Sequence, residues 1–244
     1  YGLIAERRRD GRDHGDLLSL LLGARDGETG GGMTDRQLRD EALTLFVTAF
    51  DTVSLAMTWT WYLLAQHPRV AEELEGELDA VLAGRPPSVE DLPRLPNTRA
   101  VLAESLRLYP PVYAIARETV LRFAVGGYEI DPGTLILMSP YLLQRDPRYY
   151  PDPERFDPGR WLGSARPPRF SYFPFGGGQR GCIGQPYALQ EAALILATLA
   201  RRWRMALAPG PPVTLRPLIN LRPRNGIRMV LRERRPAAGA PKGV

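Results

Sequence analysis

Apolar residues recur at helical spacing over most of the chain, and at alternate spacing over two short stretches in its middle and near its end. The opening YGLIAERRRDGRDHGD reads as helix, and HGDLLSLLLGARD (14–26) carries a leucine face. After a glycine-rich loop, Thr34 begins TDRQ, a Thr-x-x-Gln capping box that opens a helix. No proline or glycine interrupts the chain from there to Pro68, which predicts a helix over about 35–67. That is far longer than the usual run of about 10–14 residues. From Ala42 to Gln66 its one charge is Asp51, and Thr44, Thr48 and Thr52 recur every fourth residue. The threonines lay a polar stripe down an otherwise apolar rod. Such a rod either spans a bilayer or runs through the middle of a large domain. The stripe, and the lack of arginine asymmetry in flanking loops, favour the buried helix over a membrane span.

Residues 68–84 form an amphipathic pattern with Pro68 in its first turn and Gly84 as its stop. Asn97 is expected to cap a helix over 97–109, ended by Pro110 and Pro111. Period-two runs at 119–125, 128–130 and 135–138, with turns at Gly126-Gly127 and at 131–134, predict a small antiparallel sheet. The proline-rich stretch 145–170 has no period and reads as an ordered, winding loop. Residues 185–204 are helical again, 212–217 and 226–233 are expected to pair as final strands, and 235–244 reads as a disordered tail. The predicted class is mainly α with small antiparallel β-sheets (α+β), residues 1–234 forming one domain.

Composition changes this picture little. The formal charge is +5, and every basic residue but Lys242 is arginine, spread along the chain. No face concentrates that charge with aromatics between, so a nucleic-acid partner is not expected. A single cysteine, Cys182, excludes an internal disulfide and a thiolate zinc cluster. His14 and His67 lie far apart near helix ends and are expected at the surface.

The candidate chemistry lies in FPFGGGQRGCIG, residues 173–184. GGGQRG (176–181) matches the dinucleotide fingerprint by letter. Its lead-in is broken by Pro174, however, and position 201 is arginine where a ribose-binding acid would stand. No Gly-Lys-Ser/Thr follows, so the phosphate-loop reading fails too. Cys182 precedes a helix expected to start near Gln185, and unpaired N–H groups there favour a thiolate. Glycines at 176, 177, 178, 181 and 184 leave the backbone free for positive φ and for close approach of a flat ligand, with Arg180 available to a carboxylate. On the residues alone, a haem with a cysteine axial ligand and an inert free cysteine stand level.

FGGGQRGCIG resembles the haem-binding signature of the cytochromes P-450, Phe-x-x-Gly-x-Arg-x-Cys-x-Gly, at Phe175, Gly178, Arg180, Cys182 and Gly184. ESLR supplies the family's Glu-x-x-Arg at Glu104 and Arg107, and PERF supplies an arginine at Arg155. Glu104 and Arg107 are three apart on a helix and can pair. The resemblance implies that Arg155 joins them in a buried charge network supporting the cysteine loop 175–184. It implies haem b (iron protoporphyrin IX) held by the Cys182 thiolate, with Gly176 and Ile183 in the cofactor-binding loop and Arg180 and Arg117 on the propionates. The helix over 35–67 takes the place of the family's distal helix, with Asp51 and Thr52 as a proton relay. Phe46, Ala49, Val53, Val112, Ile115 and Ile219 are the implied substrate-lining positions. Several positions depart from the family's habit: bulky Phe50, Val53 after Thr52, Gln144 where histidine is frequent, and Pro186 and Tyr187 after the cysteine.

The implied activity is insertion of one atom of O2 into an apolar organic small molecule. Electrons would come ultimately from NAD(P)H, through a ferredoxin, a flavodoxin or a reductase-type partner. A cytoplasmic location is expected. The family fold has about as much chain again before this starting point, so the chain is read as the carboxy-terminal portion of a longer protein. The alternative is a truncated, non-catalytic fragment that binds haem weakly or not at all; a haem-thiolate sensor or a peroxide-using relative is a further one.

Overall fold

The computed structural model describes residues 1–164 and 167–234, and the tail expected over 235–244 lies outside them. The chain divides into two compact units, Tyr1–Asp51 and Thr52–Val244. The division falls inside the long helix.

The first unit holds α1 (Gly2–Asp10), α2 (Leu17–Gly23) and the first part of α3 (Asp35–Gln66). Asp16 caps α2 by accepting from Ser19 N at 2.9 Å and pairs with Arg7 at 2.6 Å. Arg8 reaches Asp35 (2.8 Å) and the Met33 carbonyl (2.9 Å), tying α1 to the start of α3. The capping box is present: Gln37 N donates to Thr34 Oγ1 (3.3 Å) and Thr34 N to Gln37 Oε1 (2.9 Å). Along the polar stripe, Thr44 and Thr48 donate their hydroxyls to the carbonyls of Asp40 (2.8 Å) and Thr44 (2.7 Å). Those hydroxyls are thus satisfied by their own helix.

In the second unit the rest of α3 packs with α4 (Pro68–Leu82), α5 (Pro96–Leu108) and α7 (Gln185–Ala200). By length and composition alone α3 could cross a bilayer. Yet Val53, Met57, Trp61 and Leu64 from this part of it are buried in one cluster with Leu78 of α4 and Leu196 of α7. The cap expected from Asn97 is not formed. Helix α5 starts at Pro96 with no side-chain cap of its own. Glu77 of α4 closes it instead, accepting from Asn97 N (2.6 Å), Thr98 N (2.9 Å) and Thr98 Oγ1 (2.8 Å).

Four two-stranded antiparallel sheets complete the described fold, in accord with the expected class. β1 (Ile115–Glu118) pairs with β4 (Leu135–Met138), and β2 (Phe123–Val125) with β3 (Tyr128–Ile130) across Gly126 and Gly127, both at positive φ. The run 119–125 is therefore a strand only at its end, and β1 is a strand that alternation did not announce. α7 stops at Ala200, and β5 (Trp203–Leu207) follows at once to pair with β8 (Met229–Glu233). β6 (Leu215–Pro217) closes on β7 (Leu221–Pro223) over a three-residue turn. The final pairing of 212–217 with 226–233 is corrected accordingly. The short turn lets β6 find the nearer partner, and Arg234 fixes β8 beside the end of α7 by donating from N to the Arg202 carbonyl (2.7 Å) and from Nη1 to the Ala200 carbonyl (2.8 Å). A short helix, α6 (Pro140–Leu143), is capped by Ser139.

Candidate functional site

Glu104 and Arg107 are fully buried on α5 and meet through two bonds of 2.8 Å, Nε to Oε2 and Nη2 to Oε1. Arg107 spends its remaining donors on carbonyls, reaching Gln144 (2.8 Å), Pro153 (2.7 Å) and Arg155 (3.0 Å). Glu104 accepts in addition from Trp161 Nε1 (2.8 Å) and Asp157 N (3.0 Å). A buried ion pair is tolerable only when its leftover hydrogen-bonding capacity is filled in this way. The third arginine is not Arg155, whose side chain is exposed and which contributes only its carbonyl. Arg160 takes that place, with Nε 3.3 Å from Glu104 Oε1, off the hydrogen-bond axis, and Nη2 on the Asp152 carbonyl at 3.0 Å. The Pro-x-Arg-aromatic pattern occurs twice in succession, PERF and PGRW. Only the second forms the 3-10 turn Pro158–Trp161, which turns both Arg160 and Trp161 to Glu104.

The lead-in to the glycine loop is fastened to α5 and its surroundings. Tyr172 donates to the Ala103 carbonyl (3.2 Å), and burial pushes its phenol far above the usual range. Phe173 N donates to Gln144 Oε1 at 2.9 Å. The loop then closes on itself: Gly176 N donates to Phe173 O (2.9 Å), Gly181 N to Gly178 O (3.0 Å) and Cys182 N to Phe175 O (2.9 Å). Its glycines differ in role. Gly176 and Gly178 hold positive φ, 71° and 69°, where other residues are strained. Gly177 is extended, and a Cβ there would lie 2.5 Å from Phe170 Cε1. Gly181 and Gly184 have negative φ, so the expectation of positive φ holds for two of the five. Gly184 is the N-cap of α7, which puts Cys182 at the opening of that helix.

Cys182 is exposed, and its neighbour Ile183 is 90 % exposed. Ile115 of β1 approaches the loop, its Cδ1 3.5 Å from where a Gly176 Cβ would stand. Arg117 follows two residues along β1, on the same face, and is exposed, as is Arg180. Val112 and Phe175 are half-buried, and Ile219, at the tip of the β6–β7 hairpin, is 92 % exposed. Val53 does not open onto a pocket here: it is buried in the helical core. Asp51 and Thr52 are consecutive and half-buried on α3 where the two units adjoin in sequence, and Phe46 and Ala49 are exposed in the first unit.

An exposed thiol beside bare glycine backbone and an exposed isoleucine suits a flat, largely apolar ligand. Among the described residues no group of three or more His, Cys, Asp or Glu could hold a metal ion. A metal at Cys182 would therefore have to bring most of its donors with it, as a porphyrin does. The residues present fit haem. Sequence reasoning missed Arg160 and Trp161, and marked Gln144 only as a departure from the family's habit. The repeated Pro-x-Arg-aromatic pattern could have pointed to the first two, whereas Gln144 carried no local signal.

The profile described as Cytochrome P450 matches residues 3–228. The chain is 46% identical over 210 residues to a cyclooctat-9-en-7-ol 5-monooxygenase of Streptomyces melanosporofaciens, covering 85% of this chain and 46% of that protein. It is 40% identical over 213 residues to a pentalenene oxygenase of Streptomyces avermitilis, covering 86% and 47%. Among solved structures it resembles the cytochrome P450DA heme domain with a TM-score of 0.91 at 32% identity, over 97% of this chain and 53% of that one. The chain thus spans about half the length of the relatives it matches. With that match along nearly its whole length, the chain belongs to the cytochrome P450 family.

Proposed function

We propose that this chain carries the haem-thiolate site of a monooxygenase, with residues 1–234 belonging to a single domain of that type. The observation that carries the reading is the closed glycine loop that presents an exposed Cys182 at the start of α7. Bound there, haem b would supply O2-activating and one-electron chemistry. Cys182 Sγ would hold the iron, and the bare backbone at Gly176 and Gly178 would leave room for a flat ring. Phe175, Ile183 and Gly184 flank it, while the guanidinium groups of Arg117 and Arg180 take its carboxylates. Thr52 Oγ1 holds a proton for transfer, and the Asp51 carboxylate exchanges it with solvent. Glu104, Arg107 and Arg160 hold the loop's foundation.

The proposed substrate is an apolar organic molecule, and the names of the two Streptomyces relatives, one acting on pentalenene and one on cyclooctat-9-en-7-ol, support that class. Val112, Ile115 and Ile219 of the second unit are proposed to line its pocket. Electrons come from NAD(P)H through a ferredoxin, flavodoxin or reductase. The location is proposed to be cytoplasmic, in keeping with the burial of the second part of α3 in a protein core.

The test is the spectrum of the chain with added haem, reduced and exposed to carbon monoxide. A strongly red-shifted Soret band that Cys182→Ala abolishes is the expected result. An unchanged band in Cys182→Ala would remove the thiolate assignment. No haem uptake by the parent chain would favour the non-catalytic reading for this polypeptide.

A further inference from the structure

We infer that Gln144 is a positioning residue for Cys182, hanging the cysteine loop from the carboxy-terminal end of α5. Its side chain is fully buried and uses both faces of its amide. Nε2 donates to the carbonyls of Leu106 and Arg107, both at 3.0 Å, and Oε1 accepts from Phe173 N at 2.9 Å. The two carbonyls belong to the last turn of α5, where a helix leaves acceptors without internal partners. Buried acceptors of that kind need a donor, and Gln144 supplies one to each. Its own backbone is fixed as well: Gln144 N donates to the Pro140 carbonyl (2.9 Å), and its carbonyl accepts from Arg107 Nη1 (2.8 Å).

Phe173 is where this reaches the thiol. Its N–H is held by Gln144, and its carbonyl accepts from Gly176 N at 2.9 Å. Phe175 O then accepts from Cys182 N at 2.9 Å. A short succession of hydrogen bonds therefore runs from the end of α5 to the amide of the cysteine itself. Glu104 and Arg107 hold the other side of the same helix end, and Gln144, with Tyr172 on the Ala103 carbonyl, joins that helix to the loop lead-in. A neutral imidazole has one N–H and one acceptor nitrogen, so histidine at this position can make at most two of the three side-chain bonds. A primary amide makes all of them. Gln144 acts through the loop and touches neither ligand nor thiol.

The functional meaning rests on Cys182 as the haem ligand, but the measurement does not require haem. Amide hydrogen exchange is followed at Gly176 and Cys182 in the complete chain, with Leu78 and Leu196 of the core as internal references. In Gln144→Met, which keeps length and loses the three side-chain bonds, exchange at the two loop amides should quicken at least about tenfold, with the core references little changed. In Gln144→His, one lost bond should give a smaller rise, about threefold, and this variant decides the matter by the same criteria if the methionine variant does not fold. Added haem should then give a smaller red-shifted carbon monoxide band in either variant than in the parent. Loop exchange unchanged from the parent, or quickened only in step with Leu78 and Leu196, would overturn the proposal. Absence of that band in the parent chain would sink the haem reading and leave the exchange result standing.

Discussion

Trp59 donates its indole N–H to the Leu221 carbonyl across 2.9 Å, joining residues 162 apart in the chain. The same ring stacks on Tyr109 at 4.4 Å, and Leu221 N donates in turn to the Pro111 carbonyl at 2.8 Å. α3, the end of α5 and the β6–β7 hairpin therefore meet at one side chain. Val112 follows Pro111 and Ile219 lies two residues before Leu221, so both loops proposed to face substrate are placed from this ring.

Trp59→Phe keeps a ring for Tyr109 and deletes the donor to Leu221. It should lower stability by about 1 kcal/mol, against about 3–5 kcal/mol for Trp59→Ala. Urea unfolding of the variants reads both numbers. A phenylalanine variant as stable as the parent would show that the bond to Leu221 contributes nothing.

The charge centre separates the two candidate arginines. Arg107→Ala leaves Glu104 buried without its main partner and should cost about 3–5 kcal/mol. Arg155→Ala removes an exposed side chain and should stay within about 0.5 kcal/mol of the parent, since the carbonyl that Arg107 uses is unchanged. Arg160→Ala should cost more than Arg155→Ala. Thermal unfolding of the three variants checks the order, and a reversal between Arg155 and Arg160 would return the role to PERF.

Neighbouring glycines should respond differently to alanine. Gly178 holds φ 69° with open space where a Cβ would stand, so Gly178→Ala meets pure backbone strain of about 1–2 kcal/mol. Gly177 is extended, and the nearest obstacle to a Cβ there is the half-exposed Phe170 ring, which can swing aside. Gly177→Ala should therefore be the milder change. Equal losses in chemical denaturation would mean that the Phe170 ring is held in place.

Asp91 sets an acid limit. Its buried carboxylate accepts from Arg85 (2.6 and 2.5 Å), from Ser88 N (2.9 Å) and from Arg94 (2.5 Å). The Arg85 guanidinium first, and the Ser88 N–H after it, hold the carboxyl well below the usual range. A folded-state pKa below the unfolded one means the contribution is complete above about pH 4 and disappears as pH falls further toward the folded value. Asp91→Asn should be less stable than the parent at neutral pH, and the difference should shrink between about pH 4 and 2. Urea midpoints across that window test it, and a difference independent of pH would refute the assignment.

Local rules were legible where partners are close in sequence. The Thr34–Gln37 box, the uninterrupted α3 and the Glu104–Arg107 pair each depend on spacings of a turn or so, and each is present. Remote partners overrode local rules elsewhere. Asn97 looked like a cap, but a carboxylate 20 residues earlier fills that place. No proline or glycine separates Ala200 from Trp203, so the start of β5 reads as the end of a helix, and only its pairing with β8 shows the strand. At the site, the cysteine, the glycines and the arginines were visible as residue types. Gln144 was visible only as an exception, because its partners come from α5 and from the loop lead-in at once.

The cap that Glu77 places on α5 also constrains the order of assembly. A thirteen-residue helix is marginal in isolation, and this one has no side-chain cap of its own. Its first turn is completed only when α4 has formed and docked. Since α5 carries Glu104 and Arg107, and its last turn receives Gln144, the ground on which the cysteine loop rests is inherited from a contact between α4 and α5. A lesion at Glu77 would therefore be felt at Cys182 without touching it.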